Sequence, residues 1–314
     1  MKLIKKLVIC IIISPLMIFF FTSCTEDKRT VTLAEQYGLA YAPVSAARLK
    51  GWFKEEVPET EFKWQTAGNA ATVRESILAG KLDGGFMGIP PYLIGKDRGM
   101  KWTAAAAVAR AELGLVTVQP GVDTLGDIPE NMRIALPQPG SIQHILLAMA
   151  ADRELGDAGI FDNRLITLSH PDGLTALMAG TEVKTHFTSP PYLQKELMIP
   201  GARLILDGNE AFGGEFTFII AVFSDDFIKS HPEELAGVRR AIQRGADWLN
   251  ENPDEAAAFL ADYYRMEESE LGRIFHSAAL SYGGDILGME DFQDFMLKRG
   301  YLKNGLQDEE LILP

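Results

Sequence analysis

The sequence predicts an α/β fold of two lobes with a ligand cleft between them. Two observations point there. The tetrapeptide Pro-Pro-Tyr-Leu occurs at Pro90–Leu93 and again at Pro190–Leu193, and Leu78-Ala79-Gly80 before the first copy matches Met178-Ala179-Gly180 before the second. One supersecondary unit used twice gives such a repeat. Strand-like and helix-like segments also alternate from Val31 to Phe223, the pattern of parallel-rich sheets covered by helices on both faces. At 314 residues the chain is long enough for two such units.

The elements follow in order. Val31–Tyr37 reads as a strand, and residues 43–55 as a helix with Ala46, Leu49 and Phe53 on one face. Glu61–Thr66 alternates as a strand does; Asn69–Ala79 is a helix with Val73 and Ile77 inward, stopped by Gly80. Asp83–Gly88 is a short strand that the first Pro-Pro turn ends, and Trp102–Ala109 is a buried strand. A second unit starts at 112–118. It runs through strand Arg133–Leu136, helix Ile142–Leu155, strand Arg164–Leu168, a helix at 172–179, strand Lys184–Thr188 and strand Arg203–Leu206. Phe216–Phe223 is a fully buried strand, after which the chain reads as helical. Ser230-His231-Pro232-Glu233 is a capping box whose helix presents Val238, Ile242 and Leu249. Asn252-Pro253-Asp254-Glu255 caps the next helix, and Glu268–Leu280 and Met289–Arg299 are two more. These C-terminal helices have no counterpart in the second unit and are expected to pack on the first lobe. The organisation is then 31–110 plus 208–314 for the first lobe and 111–207 for the second, with two crossings between them.

The first residues are of another kind. Lys2, Lys5 and Lys6 precede an apolar run from Leu7 to Phe21, and small residues lead to Cys24. This is the layout of an export signal over 1–23, too short to read as a membrane span. Cys24 at that place resembles the lipobox of bacterial lipoproteins, with Phe21 where Leu is usual. The resemblance implies lipidation of Cys24, a tether over 24–30 and an extracytoplasmic, membrane-anchored protein. The other cysteine, Cys10, lies inside the signal, so the exported body is expected to have no disulfide. Removing 1–23 takes away three lysines and no acid, moving the net charge from −13 to −16. An acidic body argues against nucleic acid as partner and against a basic patch as the membrane contact.

In open α/β sheets ligands bind beyond the carboxyl ends of the strands. Those ends hold Tyr37 and Gly38, Gly68 and Asn69, Gly88 to Pro91, Pro137 to Ser141, Ser169 to Asp172, and Thr188 to Pro191. Gly140 and Ser141, opening the helix at Ile142, combine close backbone approach with a hydroxyl at a helix start, and Gly68-Asn69 does the same in the first lobe. Each alone is equally an ordinary N-cap. His170 falls near Asn69 in the internal alignment. Met87 and Ser189 would be held at the cleft mouth by Pro90 and Pro190, and Tyr37, Tyr41 and Phe216 could be aromatic walls or plain core. Gln138 completes the candidate set. The five histidines (144, 170, 186, 231, 276) are scattered, with no metal-type spacing, and no G-x-S-x-G, Walker A or H-E-x-x-H motif occurs. His144 and His186 read as structural. No metal, no cofactor and no catalytic residue is expected.

The signal with its lipobox and four segments together resemble a known family. The segments are Val31–Pro43 (VTLAEQYGLAYAP), Gly84–Pro91 (GGFMGIPP), Ile134–Leu147 (IALPQPGSIQHILL) and His186–Leu193 (HFTSPPYL). They look like the substrate-binding lipoproteins of ABC importers, in the nitrate/sulfonate/taurine and NMT1/THI5-like group. The resemblance implies a type II periplasmic-binding fold, a monomer, that closes on a small organic or anionic molecule and delivers it to a separately encoded permease and ATPase. Its ligands (alkylsulfonates, taurine, nitrate, pyrimidine precursors of thiamine) would meet Tyr37–Tyr41, Gly68-Asn69, Gly140-Ser141 and Thr188–Pro191. A sensor feeding a membrane signalling partner would have the same domain. The group also includes a pyrimidine-forming enzyme with a cysteine-rich motif, from which this chain departs: its one cysteine after the signal is Cys24.

Overall fold

A computed structural model describes residues 29–306 and 311–314. The expected signal, Cys24 and most of the tether lie outside the described residues. Among the described residues eleven strands form two sheets. The first contains β1 (Arg29–Glu35), β2 (Thr60–Thr66), β3 (Gly84–Met87) and β4 (Trp102–Ala111). The second contains β5 (Gly114–Thr117), β6 (Arg133–Leu136), β7 (Leu165–Thr167), β8 (Val183–Thr188) and β9 (Arg203–Asp207). The chain then returns to the first sheet with β10 (Ile219–Ser224) and β11 (Leu280–Tyr282). Strand orders are β11-β4-β10-β3-β1-β2 and β7-β6-β8-β5-β9. Each sheet, with its flanking helices, is one lobe.

Neither sheet is wholly parallel, which corrects the simplest reading of the alternation. In the first sheet β1 runs parallel to β2 and β3, but β10 is antiparallel to β3 and β4. In the second, β6 is parallel to β7 and β8, and β5 is antiparallel to β8 and β9. The reversed strands are β10 and β11 in the first sheet and β5 in the second; β5 and β10 are the strands on which the chain enters a lobe after a crossing. The two crossings touch, the Gly208 N–H donating to the Leu113 carbonyl at 2.8 Å. Gly208 has no room for a side chain, since a Cβ there would lie 2.9 Å from Leu113 Cβ.

The duplication is visible in backbone detail. Asn69 caps the helix Ala70–Leu78 and Ser169 caps the helix His170–Ala179; Gly80 and Gly180 end their turns at φ 65 and φ 62, values that favour glycine. The Pro-Pro pairs, however, are helix openings rather than turns that stop a strand. Pro90 and Pro91 sit in the first turn of Ile89–Asp97, where a missing N–H costs nothing, and Pro191 precedes Tyr192–Leu197. The two copies differ, because the Pro190–Pro191 bond is cis.

Other boundaries moved for local reasons. The helix expected over 43–55 is two, Ala42–Leu49 and Trp52–Glu56, broken where Gly51 takes φ 79; Leu49, expected inward, is exposed. The helix expected to reach Leu280 ends at Phe275, and 280–282 pair with β4 as β11. Pro232–Glu251 packs on the first lobe as expected, against Ala42–Leu49 and Trp52–Glu56. The last helix, Met289–Lys298, packs on both lobes. It touches Ile89–Asp97 of the first lobe and Ile142–Leu155 of the second, with Arg299 paired to Asp152 at 2.5 Å.

Candidate functional site

The carboxyl ends of β1, β3, β6 and β8 face one another across the seam between lobes. At these strand ends two hydrogen bonds cross it. The Leu39 N–H donates to the Pro190 carbonyl at 3.0 Å, and the Ala71 N–H, in the first turn of Ala70–Leu78, donates to Gln138 Oε1 at 2.7 Å. Gly38, at φ 127, lets the β1 loop lie this close, since a Cβ would sit 3.2 Å from the Pro190 oxygen. The seam encloses a cavity of about 30 Å³. That is the share of liquid volume held by about one water.

Seven of the residues expected at the site line this cavity: Tyr37, Tyr41, Gly68, Gly88, Gln138, Ser141 and His170. The other nine lie off it. Asn69 is an N-cap, accepting from the Thr72 N–H at 3.1 Å. Gly38, Ser189 and Pro190 form the seam. Met87 is fully buried in β3, Pro90 is buried in its helix, and the Gly140 N–H donates to His144 Nδ1 at 2.9 Å. Thr188 lies one layer behind, against His170. Phe216 is core: its ring packs on Phe212 and Phe292 at 5.1 and 5.7 Å. Phe218, two residues on, joins Tyr37 and Tyr41 on the wall. Of the two roles open to Phe216, wall or core, it takes the core; it precedes β10, which begins at Ile219.

Sequence reasoning missed Gln36 and Gln143 on the cavity wall. Gln36 follows the last residue of β1, and Gln143 is two residues past the Ser141 cap, in the first turn of Ile142–Leu155. Position at a strand end and a helix start was the available signal; glutamine has no chemical signature that would single it out.

Behind the wall lies a buried polar layer. His170 Nδ1 is 3.2 Å from Thr188 Oγ1, and its Nε2 is 3.4 Å from Gln143 Nε2. An amide nitrogen only donates, so His170 Nε2 accepts and its Nδ1 carries the proton toward Thr188. Tyr192, from the second Pro-Pro-Tyr-Leu, stacks on His170 at 5.7 Å; its counterpart Tyr92 instead packs on Trp102 and donates to the Leu311 carbonyl. Deeper still, His186 Nδ1 meets Glu196 Oε1 at 2.6 Å, both fully buried, with His186 Nε2 and Glu196 Oε2 unpartnered. Burial drives His186 down to about 3 and Glu196 up to about 9. The carboxyl thus keeps its proton and donates it to the neutral ring. Gly173 makes room for that ring, its ideal Cβ falling 2.3 Å from His186 Cε1. Burial first, then His186, hold His170 well below the usual imidazole range.

Among the described residues no group of His, Cys, Asp and Glu is disposed to hold a metal, and no helix is long and apolar enough to cross a membrane.

Two α/β lobes joined by paired crossings, with a cavity at the facing strand ends, define the two-lobed fold of periplasmic binding proteins. The chain belongs to the NMT1/THI5-like family, whose profile matches residues 39–256. Among solved structures it is similar to the alkanesulfonate-binding protein SsuA from Xanthomonas axonopodis pv. citri bound to MOPS. Identity is 19%, the match covers 90% of this chain and 98% of that one, and the TM-score is 0.74. It is also similar to the periplasmic nitrate-binding protein NrtA from Synechocystis PCC 6803, at 14% identity, 88% and 83% coverage and a TM-score of 0.70. The ligand-binding component of an ABC-type import system from Staphylococcus aureus matches at 14% identity, 91% and 97% coverage and a TM-score of 0.73. No curated protein sequence matches the chain.

Proposed function

We propose that this is an extracytoplasmic solute-binding protein, not an enzyme, which captures a small molecule between its lobes and hands it to an ABC importer. One observation supports this above the others: both lobes contribute side chains to a cavity closed by hydrogen bonds that cross the seam. A ligand that touches both lobes favours the closed form over the open one, and only such differential contact shifts the equilibrium. The lobes would be 31–110 with 208–314, and 111–207, turning about the paired crossings. Lipid on Cys24 would tether the domain beside its permease. The Staphylococcus aureus neighbour, a ligand-binding component of an ABC-type import system, supports the same reading.

The test is isothermal titration of the purified protein against a broad solute screen, with small-angle scattering of each hit. Binding with compaction is expected. A solute that binds without compaction would refute the closing cleft, and silence across the screen would refute solute capture.

A further inference from the structure

We propose that Asn304 is a site of spontaneous deamidation, and that its product unties a strap which the C-terminal segment draws across the two lobes. After the helix Met289–Lys298 the chain binds one lobe and then the other. Arg299 pairs with Asp152 at 2.5 Å. Tyr301 sets its ring edge-on to His144 at 5.4 Å and donates its hydroxyl to the Ala158 carbonyl at 3.3 Å. Asp152, His144 and Ala158 belong to the second lobe. Two residues on, three donors converge on one oxygen of the first lobe. Asp97 Oδ1 accepts from the Lys303 N–H at 3.1 Å, the Asn304 N–H at 2.8 Å and Asn304 Nδ2 at 3.1 Å. Segment 299–304 thus links the lobes in addition to the two crossings.

Of the seven asparagines in the sequence, Asn304 is the one followed by glycine. Deamidation begins when the next backbone nitrogen attacks the side-chain amide carbon, and a following residue without Cβ lets the chain fold back far enough. Asn304 and Gly305 are exposed and outside helix and strand, and the Gly305 N–H donates to no acceptor among the described residues. The other asparagines are less suited. Asn69 caps a helix, and Asn209 and Asn250 lie inside helices. Asn252 precedes Pro253, which has no N–H. The N–H groups after Asn131 and Asn163 are bonded to the Pro129 and Phe161 carbonyls. In the reaction the Gly305 nitrogen bonds to Asn304 Cγ and the Cγ–Nδ2 bond breaks. Nδ2 leaves as ammonia, taking the proton of the Gly305 N–H. Water then opens the cyclic imide at either carbonyl, giving aspartate or isoaspartate. Either product puts a carboxylate where an amide donor met Asp97 Oδ1. Two carboxylates at that distance disfavour one another's charged form, so side chain 304 turns away and the strap loses its hold on the first lobe.

The purified protein is held at mildly alkaline pH, sampled over days and mapped by peptide mass spectrometry, with released ammonia measured alongside. Asn304 should convert at least tenfold faster than any other asparagine, with one ammonia per aspartate or isoaspartate formed. Gly305→Ala should slow it at least tenfold without disturbing the fold, because Gly305 is not left-handed and an added Cβ comes no nearer than 3.9 Å, to Leu297 Cδ1. Hydrogen exchange at residues 303 and 304 reads the strap. Asn304→Asp should raise it at least tenfold. Adding Asp97→Asn keeps an oxygen for the two N–H groups, removes the like charge and should restore protection. Conversion of Asn304 no faster than the rest, or unslowed in Gly305→Ala, overturns the site. Unchanged exchange in Asn304→Asp, or exchange that Asp97→Asn fails to restore, overturns the untied strap. No solute enters the assay, so solute capture stands or falls separately.

Discussion

Glu196→Gln should remove an alkaline instability built into the second lobe. Unfolded, a Glu carboxyl loses its proton near pH 4.3 and a His ring near 6.5. Folded, the Glu196–His186 pair holds a single proton between about 3 and about 9, because burial lowers His186 and raises Glu196. Between roughly pH 4.3 and 6.5 both states hold one proton, and the pair's contribution is flat. Above about 6.5 the unfolded chain holds none and the folded pair one, so stability falls as pH rises, by about 1.4 kcal/mol per unit. From pH 6.5 to 8.5 the loss is about 3 kcal/mol. Glutamine still donates to His186 Nδ1 and has no proton to lose. The assay is urea unfolding of both proteins at pH 6.5, 7.5 and 8.5. Taking the difference cancels every other titrating group. The variant should gain on the wild type by about 3 kcal/mol across that window. A difference constant to within about 0.5 kcal/mol would refute a protonated, buried Glu196.

Three further outcomes follow from the same geometry. Phe216→Ala should cost about 3–5 kcal/mol in urea unfolding through loss of the Phe212–Phe292 contacts, yet leave ligand affinity at the folded protein unchanged. Gln138→Ala removes the side-chain acceptor of the Ala71 N–H and should weaken ligand binding by about 1 kcal/mol, roughly fivefold, in titration calorimetry. Gly38→Val puts a branched side chain at φ 127 and against the Pro190 oxygen; small-angle scattering should find the lobes apart with or without solute.

Much of this was legible in the sequence, unevenly. The repeat pointed to two lobes and matched Gly80 with Gly180, because left-handed turns have local chemistry; it set Asn69 near His170, one residue past Ser169, the cap that corresponds to it. Sheet direction was hidden: β5 and β10 read like any buried strand, and their antiparallel placing comes from the route of the crossings, a tertiary property. Local chemistry also misplaced the Pro-Pro pairs, since proline suits a helix's first turn as well as a strand's end. At the site, strand ends located the loops but not the side chains. Asn69 and Gly140 are occupied by their own helix starts, while Gln36 and Gln143, unremarkable in sequence, reach the wall. Thr188, His186 and Glu196 are a layer whose meaning depends on burial, which a single sequence does not reveal for polar residues.

Solute capture by closing lobes is tested most directly by the distance between them. Leu78 and Met178 are matched positions near the ends of matched helices, one per lobe, and are 68% and 66% exposed. Spin labels on Leu78→Cys and Met178→Cys report that distance by pulsed electron resonance without disturbing the core. Closure predicts two distance populations, with the shorter one filling as a bound solute is titrated in. A distribution that stays the same from zero to saturating solute would contradict it.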